Sequence, residues 1–122
     1  MILIFGGAYM GKRDYAKDHL NVGDITECGD GMPDFAGGCV AGLERFSYAC
    51  ARQGQDAAAL LEARRDAWKD AVLIVRDISC GVVPLDAVER AWREENGRML
   101  RMLTGHAQRV IRLWYGLPQE LK

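Results

Sequence analysis

Met1-Ile2-Leu3-Ile4-Phe5-Gly6-Gly7-Ala8-Tyr9-Met10-Gly11-Lys12-Arg13-Asp14 opens the chain, and its order of residue types decides how the rest is read. The apolar run Ile2 to Phe5 passes directly into a glycine-rich turn ending in Gly11-Lys12. That order predicts a strand, a loop and a helix start. Gly6-x-x-x-x-Gly11-Lys12 has the spacing of a phosphate-binding P-loop. Glycines let the N–H groups of such a turn converge on an anion, and the following helix adds the positive end of its dipole. Gly6, Gly7, Ala8, Tyr9, Met10, Gly11, Lys12 and Arg13 are therefore the candidate binding residues. Lys12 would bring a mobile charge to the outer phosphates of ATP or GTP. Position 13 departs from the pattern. It normally carries a Ser or Thr whose hydroxyl holds Mg²⁺ on the nucleotide, and a guanidinium has no lone pair to offer a metal. Arg13 then has three readings: a decayed site, a guanidinium that replaces the metal, or an exposed arginine on a first helical turn.

Working outward, the length of 122 residues predicts one domain, short for a complete nucleotide-processing enzyme. A net charge of −1 argues against broad binding of nucleic acid or of an anionic membrane. No secretory leader and no bilayer-length apolar run are seen, so a cytoplasmic protein is expected. Cys28, Cys39, Cys50 and Cys80 lie far apart with no C-x-x-C pair, and His19 and His106 are equally remote. No metal site is predicted from them, and buried reduced thiols are expected.

Along the chain, a helix is predicted over Lys12 to Leu20 and a short strand over Asp24 to Cys28. Phe35, Cys39, Val40, Leu43, Phe46 and Cys50 recur at helical spacing, which predicts a helix from Phe35 to Cys50 with one side made of small residues. Asp56 suits the cap of a further helix through Trp68. Ala71-Val72-Leu73-Ile74-Val75 is continuously apolar, the mark of a strand covered on both faces. Pro84 is expected to open the longest helix, running to about Thr104 with a stripe of Leu85, Val88, Trp92, Met99, Met102 and Leu103. Arg109 to Tyr115 reads as the last strand, broken by Gly116 and Pro118. The sum is an α/β fold of three layers, with a mostly parallel sheet of about four strands and helices on both faces.

These stretches resemble the bifunctional adenosylcobinamide kinase/adenosylcobinamide-phosphate guanylyltransferase family of cobalamin biosynthesis, a P-loop NTPase-like fold. The opening strand and loop are similar to the family's GGARSGKS. Glu27-Cys28 sits like its acidic-Cys pair. Val72 to Val75 with Asp77 and Gly81-Val82-Val83-Pro84 resembles its VVLVTNEVGxGIVP. Arg90, Arg93, Gly97 and Arg98 match its long helix, and Val110 to Gly116 its closing strand. The family's Asn-Gln pair in that helix is Leu100-Arg101 here, and its Asp is Glu94. Only Asn21 to Gly23 stand where a longer family segment carries the histidine that becomes guanylylated, and neither His19 nor His106 matches it.

The resemblance implies a shortened P-loop domain over residues 1–122 that binds ATP or GTP and transfers a phosphoryl group to a hydroxyl, with a corrinoid as substrate. It implies loss of guanylyl transfer and a homo-oligomer, for which the small-residue helix Phe35 to Cys50 is one candidate contact. Lys12, Glu27 and Asp77 are the candidate catalytic residues: Lys12 neutralises charge, and the two acids end their strands where doubly wound sheets gather ligands. Arg90, Arg93 and Arg98 read as a solvated helix face. The alternative is a non-catalytic relative acting as an assembly or regulatory subunit. A smaller alternative takes Gly6-x-Ala8-x-x-Gly11 as a Rossmann-like dinucleotide fingerprint with Glu27 on a ribose, although Lys12 has no role in that motif.

Overall fold

A computed structural model describes residues 1–78 and 86–122. The opening apolar run forms β1 (Ile2–Gly6), and every other part of the sheet is placed relative to it. It pairs in parallel with β4 (Val72–Arg76) on one side and β5 (Arg109–Trp114) on the other. Two short parallel strands, β3 (Cys39–Ala41) and β2 (Thr26–Glu27), extend the sheet beyond β4. An antiparallel strand, β6 (Leu117–Glu120), closes the other edge on β5. The result is a six-stranded sheet in the order β2-β3-β4-β1-β5-β6. Alternate residues face opposite layers, as the strand period requires. Leu3, Val40, Leu73, Val75 and Val110 enter one core, and Ile4, Cys39, Ala41, Ile74, Ile111 and Leu113 enter the other.

The two layers are unequal. Helix α1 (Lys12–His19) covers one face, placing Ala16 against Ile4 and Ile74. The opposite face carries α2 (Leu43–Gln53), α3 (Ala57–Glu62), α4 (Arg65–Trp68) and α5 (Ala87–His106), and its core holds Leu43, Phe46, Leu61, Trp68, Met99 and Leu103. Trp68 is the largest fully buried side chain, and its indole N–H donates to Leu61 O at 2.8 Å. The three-layer, mostly parallel architecture expected from the sequence is therefore present.

Several elements differ from the sequence reading. The helix expected over Phe35 to Cys50 starts only at Leu43. Gly42 holds φ +81°, a left-handed conformation that ends the preceding segment and caps α2. Cys39 to Ala41 are then free to bond between β2 and β4, so the small-residue helix face proposed as an oligomer contact is not formed. The expected helix from Asp56 to Trp68 is two short helices, with Asp56 capping the first through the Ala59 N–H at 3.1 Å. Gly116, at φ +80°, turns the chain back after β5 instead of ending the sheet. Pro118 is tolerated because β6 is an edge strand.

The cap of α5 is Asp86, whose carboxylate accepts from the Val88 and Glu89 N–H groups at 2.7 and 3.2 Å. Pro84 and Leu85, expected at the start of this helix, lie outside the described residues, as do Cys80 and the Gly81-Val82-Val83-Pro84 stretch. Among the described residues, no helix is long and apolar enough to cross a membrane.

Candidate functional site

Parallel pairing brings the carboxyl ends of β1, β3 and β4 together, where open α/β sheets present loops to ligands. The register sets Gly6 beside Arg76, and the Asp77 N–H donates to Gly6 O at 2.8 Å. Gly42 follows β3, and its N–H donates to Ile74 O at 3.1 Å. A cavity of about 560 Å³ opens between these turns, lined by Ala8 to Asp14 from the glycine-rich loop and by Gly42, Glu44, Arg45, Ile74 and Arg76.

The loop is shaped by two glycines. Gly6 packs against the backbone of β5, where an added Cβ would lie 2.7 Å from Leu113 O. Gly11 caps α1 at φ +89° and provides no side-chain hydrogen bond. The first-turn amides of α1 are thus left unbonded. Ala8 and Tyr9 form a tight turn that closes from Gly7 to Met10, and among the described residues no other backbone N–H from Gly7 through Asp14 has a hydrogen-bond partner. Met10 ties the loop to the β5–β6 turn: its carbonyl accepts from Gly116 N–H at 2.9 Å, and its Sδ lies 3.2 Å from Tyr115 N. Gly6→Ala is expected to destabilise the fold by about 1–3 kcal/mol, because the new methyl group meets rigid backbone. Denaturant melts would register this.

Lys12 is only 7% exposed, and its Nζ donates to Gly7 O at 2.6 Å. The ammonium therefore folds back over its own loop, at the wall of the cavity. Burial pulls its pKa below the ordinary lysine value. Glu44 opposes that shift, while Arg13 and Arg76 add to it. An anion beside Lys12 would favour the charged form, so binding and protonation are linked. Affinity for a phosphate is expected to hold at neutral pH and to fall as pH rises through the lowered pKa of Lys12, earlier than an ordinary lysine would dictate. Isothermal titration across the alkaline range checks this.

Lys12, Arg13, Arg45 and Arg76 line the cavity against the acids Asp14 and Glu44, giving a positive site in a chain of net charge −1. Concentrated positive charge in a cleft draws anions. Arg13 forms a two-pronged pair with Glu27, Nε to Oε1 at 2.7 Å and Nη2 to Oε2 at 2.9 Å. The fork holds the Glu27 carboxyl below its usual range and raises the Arg13 guanidinium. Two of the sequence's candidate residues thus engage each other at the rim.

Behind this rim lies a buried polar network that the sequence reading missed. Glu44 Oε1 accepts from the Arg76 N–H at 2.9 Å, joining the α2 start to the β4 end. Asn96, 1% exposed, donates to Arg76 O at 3.2 Å and accepts from Ser47 Oγ at 2.8 Å. The Trp92 indole N–H reaches Glu44 O at 2.9 Å. Arg76 lies over the Trp92 ring at 5.8 Å. These contacts fix Glu44 and Arg76 facing the loop. Asn96→Ala would take a donor from the Arg76 carbonyl and one bond from Ser47, whose hydroxyl keeps Glu44 O and the Trp92 indole, at an expected cost of about 1–3 kcal/mol. A thermal melt reads that loss.

The sequence signal for this part was present: Cys39-Val40-Ala41-Gly42 is a second apolar run ending in glycine before a helix. It was hidden by helical spacing shared with Phe35 and Phe46. The other candidate residues stand apart. Arg98 is exposed and pairs with Glu95 at 2.9 Å and Glu94 at 3.8 Å. Arg90 is exposed and Arg93 half-buried. Cys28, Cys39 and Cys50 are buried free thiols, and burial pushes Cys28 up to about 11. Among the described residues, no group of three or more His, Cys, Asp or Glu is placed to hold a metal. β2 lies beyond β3 and β4 from β1, so Glu27 is not on the strand beside the loop, where a dinucleotide fingerprint needs its acid.

Compared with known proteins, residues 40–121 match the model of a family described as cobinamide kinase / cobinamide phosphate guanyltransferase. The match runs from β3 to β6 and does not include the glycine-rich loop, α1 or β2. Among curated proteins, none matches the chain significantly.

Proposed function

Because the chain belongs to the cobinamide kinase / cobinamide phosphate guanyltransferase family, with its P-loop NTPase-like fold, we propose that it binds the phosphates of ATP or GTP at the loop from Gly6 to Arg13. The observation that carries this reading is the set of N–H groups at Gly7 to Tyr9 and Gly11 to Asp14 that have no hydrogen-bond partner among the described residues, beside a cavity lined by Lys12, Arg13, Arg45 and Arg76. Such a turn leaves donors that a bound phosphate satisfies. Lys12 exchanges its bond to Gly7 O for a phosphate oxygen.

Phosphoryl transfer would form a bond from an acceptor hydroxyl oxygen to the γ-phosphorus as the β–γ bridge breaks, releasing the nucleoside diphosphate. The hydroxyl proton needs a carboxylate, and Asp77, directly after β4, and Glu27, at the end of β2, are the two candidates. Glu27 is held by Arg13. By family, the acceptor is a corrinoid. Guanylyl transfer through a protein histidine is not proposed, because no histidine lines the cavity. A homo-oligomer is proposed on family grounds alone, and a light-scattering dilution series tests it.

The Arg13–Glu27 pair favours a second reading, a relative that binds nucleotide without catalysis, because it takes both the hydroxyl position and one candidate acid out of the chemistry. Titration with ATP and GTP, followed by assay for the diphosphate in the presence of a corrinoid alcohol, separates the two. Binding with turnover supports the kinase, and binding without turnover supports the second reading. No binding of either nucleotide overturns both.

A further inference from the structure

The loop's donor set does not fit the Mg²⁺ that usually accompanies a nucleotide in this fold. The position that normally supplies a hydroxyl is Arg13, and Glu44 Oε1 already accepts from the Arg76 N–H. Four cations, Lys12, Arg13, Arg45 and Arg76, line the same space against two acids, Asp14 and Glu44, a net positive setting that opposes a divalent cation. We propose that the site binds phosphate without a metal ion, the Arg13 guanidinium serving as the cation and Glu27 holding it until a phosphate displaces the carboxylate. This rests on the nucleotide-binding reading above and adds what replaces the metal.

Three observations carry it. The first is shape. Glu27 occupies both prongs of the Arg13 fork, at 2.7 and 2.9 Å. A phosphate presents the same two-oxygen edge to a guanidinium. The second is place. A Cβ added at Gly42 would lie 3.6 Å from Glu27 Oε2, and both Gly42 and Arg13 line the cavity. The pair therefore stands at the wall of the space a phosphate would enter. The third is ease of exchange. The side chains are 43% and 47% exposed. A pair so wetted contributes little, and each partner is readily resolvated. Arg45 also acts on Glu27, holding its carboxyl down, so the released carboxylate keeps a positive neighbour.

The test is isothermal titration of the full chain with ATP and with inorganic tripolyphosphate, in EDTA and in excess Mg²⁺, for the wild type, Glu27→Gln, Arg13→Ser and Arg13→Lys. The wild type is expected to bind both probes in EDTA as well as in Mg²⁺. Glu27→Gln releases the fork and should tighten binding by up to about fivefold, the strength such a pair forfeits. Arg13→Ser should weaken metal-free binding at least about tenfold and make it respond to Mg²⁺. Arg13→Lys, keeping charge without the fork, should fall between. Wild-type binding that requires Mg²⁺ overturns the inference and leaves the nucleotide reading standing. Metal-indifferent binding unmoved by Glu27→Gln overturns the role of Glu27. Failure to bind either probe in either condition overturns both proposals.

Discussion

Lys12→Ala is expected to lower affinity for ATP or GTP on the order of a hundredfold, the loss that follows removal of a charge-assisted bond to phosphate in a partly desolvated site. The side chain that makes this bond is buried, with its Nζ 2.6 Å from Gly7 O, so it needs only a small swing to reach an anion at the loop. The fold should survive the change. Burial already disfavours the ammonium, as its lowered pKa records, so removing it relieves desolvation while giving up one bond to a carbonyl. Titration calorimetry beside a thermal melt separates the outcomes: binding collapses while the melting temperature moves little. Equal affinity in the variant would remove Lys12 from the site.

Trp68→Ala should do the reverse. Trp68 is fully buried, packs edge-on against His106 with ring centroids 5.8 Å apart, and donates its indole N–H to Leu61 O. Truncating a buried aromatic costs about 3–5 kcal/mol, the lost transfer energy plus the cavity left behind. That is a large share of the stability of a small domain. Yet Trp68 precedes β4, its carbonyl accepting from Ala71 N–H, whereas the cavity lies past the other end of that strand at Arg76. Well below its melting point, the variant should bind nucleotide with unchanged affinity. A denaturant melt near the wild-type midpoint would contradict the burial argument.

These two variants show which parts of the molecule the residue order reveals by itself. β1 and β4 are legible because each is a run of apolar residues paired on both edges and covered on both faces, and β5 because Val110, Ile111 and Leu113 are buried between the exposed Arg112 and Trp114. Gly6, Gly11 and Lys12 are legible for a related reason: a strand feeding a helix through glycines leaves few alternatives. β3 is not. At Cys39 to Ala41 it is too short to show a period of two, and its apolar residues fall in phase with the helix that follows. Only the left-handed Gly42 marks the boundary, and a sequence does not display φ. Missing β3 hid Glu44 and the face of Arg76 that meets it. β6 was missed because Pro118 is normally hostile to a strand, a rule relaxed at an edge. The Asn96–Ser47 bond joins α5 to α2, and no local pattern announces a pairing between residues so far apart in the chain.

The position of Glu27 carries the sharpest lesson. Its place at a strand's end was legible, and so was the oddity of Arg13, but their union was not. It depends on β2 joining the sheet beyond β3, which sets Glu27 across from the first turn of α1.

The most direct measurement is an amide ¹⁵N–¹H correlation spectrum of the assigned protein, recorded as ATP is added. The N–H groups from Gly7 to Asp14 should shift together and saturate with one binding constant, while amides near Trp68 stay in place. Saturating shifts elsewhere, with Gly7, Gly11 and Lys12 unmoved, would contradict the claim that this loop receives a phosphate.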